Sequence, residues 1–151
     1  MPPMLTRRAL LALPALLPAA ASAQRFPRRV NHAAGIALRG YDTLAWHEAG
    51  RPMRGAPEFR AEWGGVAWHF ASAANLARFE AGPAAFAPRY GGFCAYGVAR
   101  GYKVDFDPDA WHIRDGVLFL NYDLGVQREW MRDIPGHIAR ADANWPRLAD
   151  R

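Results

Sequence analysis

The chain has one cysteine, Cys94, and five histidines: His32, His47, His69, His112 and His137. These are the side chains best suited to chemistry. A thiolate with two or three imidazoles can hold a transition metal, and a thiolate beside a general base can attack an electrophile. Spacing along the chain does not gather them, since no H-x-x-x-H or H-x-x-E-H pair occurs. A metal site would therefore have to be assembled by the fold, with Cys94 as anchor and His47, His69 or His112 completing it. The more economical role for Cys94 is that of a small buried hydrophobe. Burial would also shield a lone thiol from oxidation.

Other chemistry is poorly represented. No nucleophile elbow and no Gly-rich phosphate loop occurs. Asp105, Asp107 and Asp109 alternate around Pro108, but the run lacks the turn glycine and closing glutamate of a calcium loop, so it reads as a solvated acidic loop. Trp63, Trp68, Trp111, Trp130 and Trp145 could line an apolar ligand pocket, although a core is the commoner use of such residues. The formal net charge is +5, which falls to +3 without the two arginines of the first 23 residues. The remaining arginines are scattered rather than run together with aromatics, so nucleic acid is not an expected partner.

The elements that would position these residues follow from pattern. Tyr41 to His47 reads as a first strand, ended by Glu48-Ala49-Gly50, and a loop with Pro52, Gly55 and Pro57 follows. Val66 to Phe70 reads as a strand entered through Gly64-Gly65, with Val66, Trp68 and Phe70 on one face and His69 on the other. Ser72 caps a helix that buries Leu76 and Phe79, and Pro83 begins another turn leading to Phe86. Tyr90 to Tyr96 is a tight passage of small residues, and 101–109 a loop. Asp115-Gly116 joins Trp111–Arg114 to Val117–Tyr122 as a hairpin, with Trp111 and Ile113 sharing a face with Leu118 and Leu120. His112 is opposite in phase. A helix from Leu124 to Arg132, restarted at Pro135, carries an apolar stripe through Val126, Trp130 and Ile138 to Trp145. The expected fold is α+β, a small antiparallel sheet packed by short helices in a single domain.

The N-terminus has its own logic. Thr6-Arg7-Arg8 is a basic region, Ala9 to Ala20 an apolar stretch, and Ala21-Ser22-Ala23 a small-x-small cleavage site. The stretch is too short to span a bilayer and carries Pro14 and Pro18, so residues 1–23 read as a cleavable signal peptide without a retained anchor. Adjacent arginines before Ala9-Leu10-Leu11 fit a twin-arginine signal, a route that carries folded proteins. The expected location is periplasmic or secreted, with the export machinery only a transient partner. A single cysteine permits no intramolecular disulfide there. Residues 24–35 read as a flexible arm and 36–147 as the folded domain.

Trp68-His69-Phe70-Ala71-Ser72-Ala73-Ala74-Asn75-Leu76-Ala77-Arg78-Phe79 resembles the YHS family, whose pattern is aromatic-x-Phe-Cys-Ser-x-x-Cys-x-x-x-Phe followed by Pro-x-x-Tyr. Here Pro83-Ala84-Ala85-Phe86 stands for the last element. The resemblance extends from Gly40-Tyr41-Asp42 through Tyr90-Gly91-Gly92-Phe93-Cys94 to Asp142-Ala143-Asn144-Trp145-Pro146, and is closest to exported members. It implies a YHS-like domain and, for a ligand, Tyr41, Asp42, Tyr90 and Cys94 as binding residues. The pattern's two cysteines fall on Ala71 and Asn75, which supply no thiolate to a soft metal. The expected function is therefore a non-catalytic ligand-binding or accessory module, acting on an unidentified small ligand or partner protein. Metal handling through Cys94 and histidines is the alternative.

Overall fold

The computed structural model describes residues 28–151. The leader, its paired arginines and its cleavage site lie outside the described residues. Along the chain run β1 (His32–Ala33), β2 (Ile36–Ala37), α1 (Thr43–Glu48), β3 (Ala56–Trp63), β4 (Val66–Phe70), α2 (Ala73–Ala81) and α3 (Pro83–Phe86). After α3 come α4 (Ala95–Arg100), β5 (Trp111–Arg114), β6 (Val117–Leu120), α5 (Leu124–Met131) and α6 (Ile134–Leu148). The fold is α+β, with a four-stranded sheet in the order β1-β2-β4-β3 and a separate β5–β6 hairpin. The larger sheet is mixed rather than purely antiparallel, because β2 runs parallel to β4 where Ile36 meets Ala67.

Local chemistry accounts for most of these elements. Gly64 and Gly65, both at positive φ (62° and 78°), turn β3 into β4 and set Trp63 opposite Val66. Asp115 and Gly116 do the same for β5 and β6, so Trp111 faces Leu120 and Ile113 faces Leu118, as the alternation requires. Ser72 accepts from Asn75 N, Asp123 from Val126 N and Asp133 from Gly136 N, each capping the helix that follows. Val66, Trp68 and Phe70 join Leu44, Trp46, Phe79, Leu118 and Leu120 in the main core. A second cluster, around Trp130, Phe119, Val98 and Ala141, ties α4, α5 and α6 to the hairpin.

Four expectations are corrected. Tyr41 to His47 is not a strand: Asp42 caps α1, and Thr43, Leu44, Ala45 and Trp46 are buried in succession, which leaves no helical period to read. The segment with Pro57 is not a loop but β3, an edge strand, where a proline costs no ladder hydrogen bond. Within the tight passage, Cys94 caps an unforeseen helix, α4, which Gly101 closes at φ 96°. The arm is folded where it is described: Val30 and Asn31 are buried, Asn31 N donates to Gly91 O, and His32–Ala33 pairs with β2.

Candidate functional site

Cys94 is buried at the start of α4, and its sulfur accepts from Gly97 N at 3.3 Å. Its thiol donates to Asn121 Oδ1 at 3.8 Å, and the same oxygen accepts from Tyr96 N at 3.3 Å. Asn121 is fully buried, and its amide nitrogen has no partner among the described residues. A space of about 190 Å³ borders Cys94, with the exposed Tyr102 and Tyr122 at its edge. Burial pushes the Cys94 thiol up, against smaller opposing effects of the backbone N–H groups of Gly97, Tyr122 and Tyr96. This is the environment of an inert thiol.

The histidines stand elsewhere. His47, on α1, meets Phe86 edge-on at 5.6 Å. His69 lies on the outer face of β4, opposite Trp68, as its phase requires. His112 sits on β5 with its Nδ1 buried and unpartnered. Burial lowers the pKa of all three, aided at His69 by Arg60 and at His112 by Arg114. His137 stacks on Trp130 at 5.6 Å and meets Tyr96 edge-on at 5.1 Å. Among the described residues no three His, Cys, Asp or Glu side chains form a group that could hold a metal. The acidic loop is engaged locally: Asp105 accepts from Asn31 Nδ2 and Phe106 N, and Asp107 from Asp109 N.

The residues that the resemblance implies for ligand binding divide. Asp42 is not open to a ligand, because it is completely buried. Its Oδ1 caps α1 by accepting from Leu44 N at 2.8 Å, and its Oδ2 accepts from Ala71 N at 2.8 Å and Asn75 Nδ2 at 2.7 Å. Tyr90 is also buried, with its hydroxyl donating to Asp142 Oδ1 at 2.9 Å. Burial and that bond raise its pKa. Tyr41 is half-buried, packed on Trp46 and Phe106 beneath the Arg54 guanidinium, which lies 4.5 Å from the ring centroid.

The tryptophans give a clearer result. Trp130 is wholly core, and Trp111 packs against the main core. Trp63, Trp68 and Trp145 instead line one cavity of about 270 Å³, completed by Arg29, Val30, Pro88 and Gly91. Trp68 is its buried floor, held by a 3.0 Å bond from Nε1 to Trp63 O. Trp145 is braced by Tyr90 at 5.8 Å and Phe93 at 6.4 Å. At the edge, Arg29 pairs with Asp150 through two bonds, Nε–Oδ1 at 2.5 Å and Nη2–Oδ2 at 2.6 Å. Gly91 lets the N-terminal segment close this wall, since a Cβ there would stand 1.8 Å from Arg29 O. Sequence reasoning nominated these tryptophans without separating cavity from core, and it gave no role to Arg29. No family model, curated protein or solved structure matches this chain.

Proposed function

We propose that this is an exported, non-catalytic binding domain of the YHS type, whose ligand is a small apolar or aromatic molecule held between Trp63, Trp68 and Trp145. The tryptophan-lined cavity carries the reading. Its volume of about 270 Å³ suits a single ring with short substituents rather than a helix or an extended peptide. Its walls are backed by other side chains: Trp68 is buried, and Trp145 packs against Tyr90 and Phe93. Its described lining holds no nucleophile–base pair, and the chemistry it offers is retention. Burying about 200 Å² of a ring at about 25 cal/mol per Å² contributes about 5 kcal/mol, and the cost of association comes out of that, so a bare ring binds no tighter than about 0.1 mM. A tighter natural ligand would need polar contacts at the Arg29 edge.

Titration of the purified protein with benzyl alcohol and cyclohexanol, followed through the indole N–H signals, tests this. Saturable shifts at Trp63 and Trp145, weakened at least tenfold by Trp145→Ala, are expected. Shifts absent at 10 mM probe, or unchanged in that variant, would overturn the reading. Export is tested separately by the mass of the protein recovered from the periplasm, which should begin at Gln24.

A further inference from the structure

The face of the four-stranded sheet opposite Val66, Trp68 and Phe70 holds two adjoining depressions of about 390 and 560 Å³, which share Ile36 and His69. Arg39 and Arg54 line the smaller, and Arg60 with Glu62 the larger. Charge in this trough is unbalanced. Glu62 pairs with Arg60, and Asp105 lies 3.6 Å from Arg39. Arg54 has no carboxylate partner among the described residues; its Nη1 donates to Arg39 O at 2.6 Å and its plane rests on Tyr41. A guanidinium carries five N–H donors, so most of the Arg54 fork is uncommitted while its position is fixed. Arg39 is similarly held, with Nη2 donating to Phe106 O at 2.6 Å and its plane 4.5 Å from the Phe106 ring centroid, and its Nε is buried without a partner.

Backbone geometry keeps the space between these groups open. Gly40, at φ 82°, has no side chain to fill it: a Cβ there would stand 3.7 Å from His69 Nδ1 and 3.9 Å from Arg54 Nη1. Both nitrogens therefore border one gap. At Gly55 the main chain passes so close to β4 that a Cβ would come within 2.4 Å of the His69 carbonyl carbon. The wall carrying Arg54 is thereby fixed against the strand carrying His69. Two pre-positioned guanidinium groups and an imidazole around a small open concavity are the donor set for an oxyanion.

We propose that this trough binds a small multivalent oxyanion, with Arg54 as the forked donor, His69 as the second donor, and Arg39, held by Asp105 and Phe106 O, adding positive charge beside them. The site is separate from the tryptophan cavity, with which it shares no lining residue. Burial and Arg60 hold His69 toward its neutral form, so a bound anion should raise its titration midpoint.

The test is an amide and histidine-ring NMR titration of the purified protein with sodium pyrophosphate and, separately, sodium citrate. Both run at fixed ionic strength near 150 mM, with sodium chloride as control. Saturable shifts centred on Gly40, Gly55 and His69, with Kd below 1 mM for either probe, are expected. Response to pyrophosphate alone makes the ligand a phosphoryl compound, response to citrate alone a polycarboxylate, and response to both a site selecting on charge. Arg54→Gln should weaken binding at least tenfold, Arg54→Lys less, and Arg114→Gln on the hairpin not at all. Thermal melts of each variant separate lost binding from lost fold. Shifts that only follow ionic strength, or Arg54→Gln binding as tightly as the parent while folded, would overturn the proposal.

Discussion

Replacing Asp42 should damage this fold more than any other single polar substitution described above. Its carboxylate is fully buried and receives three N–H groups from three places: the first turn of α1, the residue after β4, and the first turn of α2. Asp42→Ala removes a helix cap worth about 1 kcal/mol. It also takes the acceptor from the half-buried donors of Ala71 and Asn75, at about 1–2 kcal/mol each, the lower part of the range because water reaches them in part. A loss of about 3–5 kcal/mol is expected, a large part of the ~5–15 kcal/mol typical of a domain. The corresponding fall in Tm is about 10–20 °C. Asp42→Asn is the sharper probe, because it keeps the shape and the α1 cap while turning an NH2 group toward two donors. It should cost about 2–4 kcal/mol, and adding Asn75→Asp should return at least 1 kcal/mol by restoring a donor–acceptor pair. Urea unfolding followed by tryptophan fluorescence and by circular dichroism measures all four corners of the cycle. Asp42→Ala within 1 kcal/mol of the parent, or strict additivity of Asp42→Asn and Asn75→Asp, would refute the reasoning.

Three further outcomes are expected. Cys94 should react with a disulfide reagent far more slowly in the native protein than in guanidinium, because it is buried and its pKa is raised; comparable rates would contradict that environment. Gly91→Ala should destabilise by at least about 2 kcal/mol and loosen the Arg29 wall of the tryptophan cavity, seen as lost amide protection at Asn31, since the residue sits at φ 62° against Arg29 O. Acid should weaken the fold through histidine. His47, His69 and His112 have folded pKa values below the unfolded value of about 6.5, so the unfolded chain binds more protons in the window just beneath 6.5. Stability is then complete above that value and falls as pH drops through it. A Tm profile from pH 8 to 5 checks this, and His112→Gln should flatten the slope.

Much of the scaffold was legible because its signals are local. Gly64-Gly65 and Asp115-Gly116 fix two turns by the φ values they permit, the second of them read as a hairpin, and Ser72 and Pro135 mark helix starts whatever surrounds them. The missed elements are those whose signal is tertiary. In α1, burial on every side replaces the amphipathic period, and only the Asp42 cap speaks for a helix. In β3, Phe59, Ala61 and Trp63 do alternate with Glu58, Arg60 and Glu62, but Pro57 obscured a pattern that an edge strand accommodates. In α4, Gly101 after Arg100 is a stop signal that the run of small residues concealed. The candidate site was less legible. Five tryptophans could be named, but only packing separates Trp63, Trp68 and Trp145 around a cavity from Trp130 within a core. The sheet-face arginines read as scattered because their convergence is tertiary: the Tyr41–Arg54 bridge and the Gly55 N–Gly40 O bond bring Arg54 to Arg39, and the β3–β4 pairing sets Arg60 beside His69.

The departures at Ala71 and Asn75 acquire a physical meaning from Asp42. Under the YHS reading proposed above, these two positions stand where the pattern has cysteines. In this chain both positions donate to a single oxygen, Asp42 Oδ2, one through its main-chain N–H and the other through its side-chain amide. The amide is the consequential member. An alanine at 75 would leave Oδ2 with Ala71 N alone, and a cysteine would offer only a weak S–H donor. Asn75 therefore suits a chain that uses this junction to fasten α1, β4 and α2 together without a disulfide. Asn75→Cys should cost about 1–2 kcal/mol by weakening that fastening, whereas Ala71→Ser, which preserves the main-chain donor, should cost under about 1 kcal/mol. Equal losses at the two positions would mean that local packing, rather than hydrogen bonding to Asp42, decides what they tolerate.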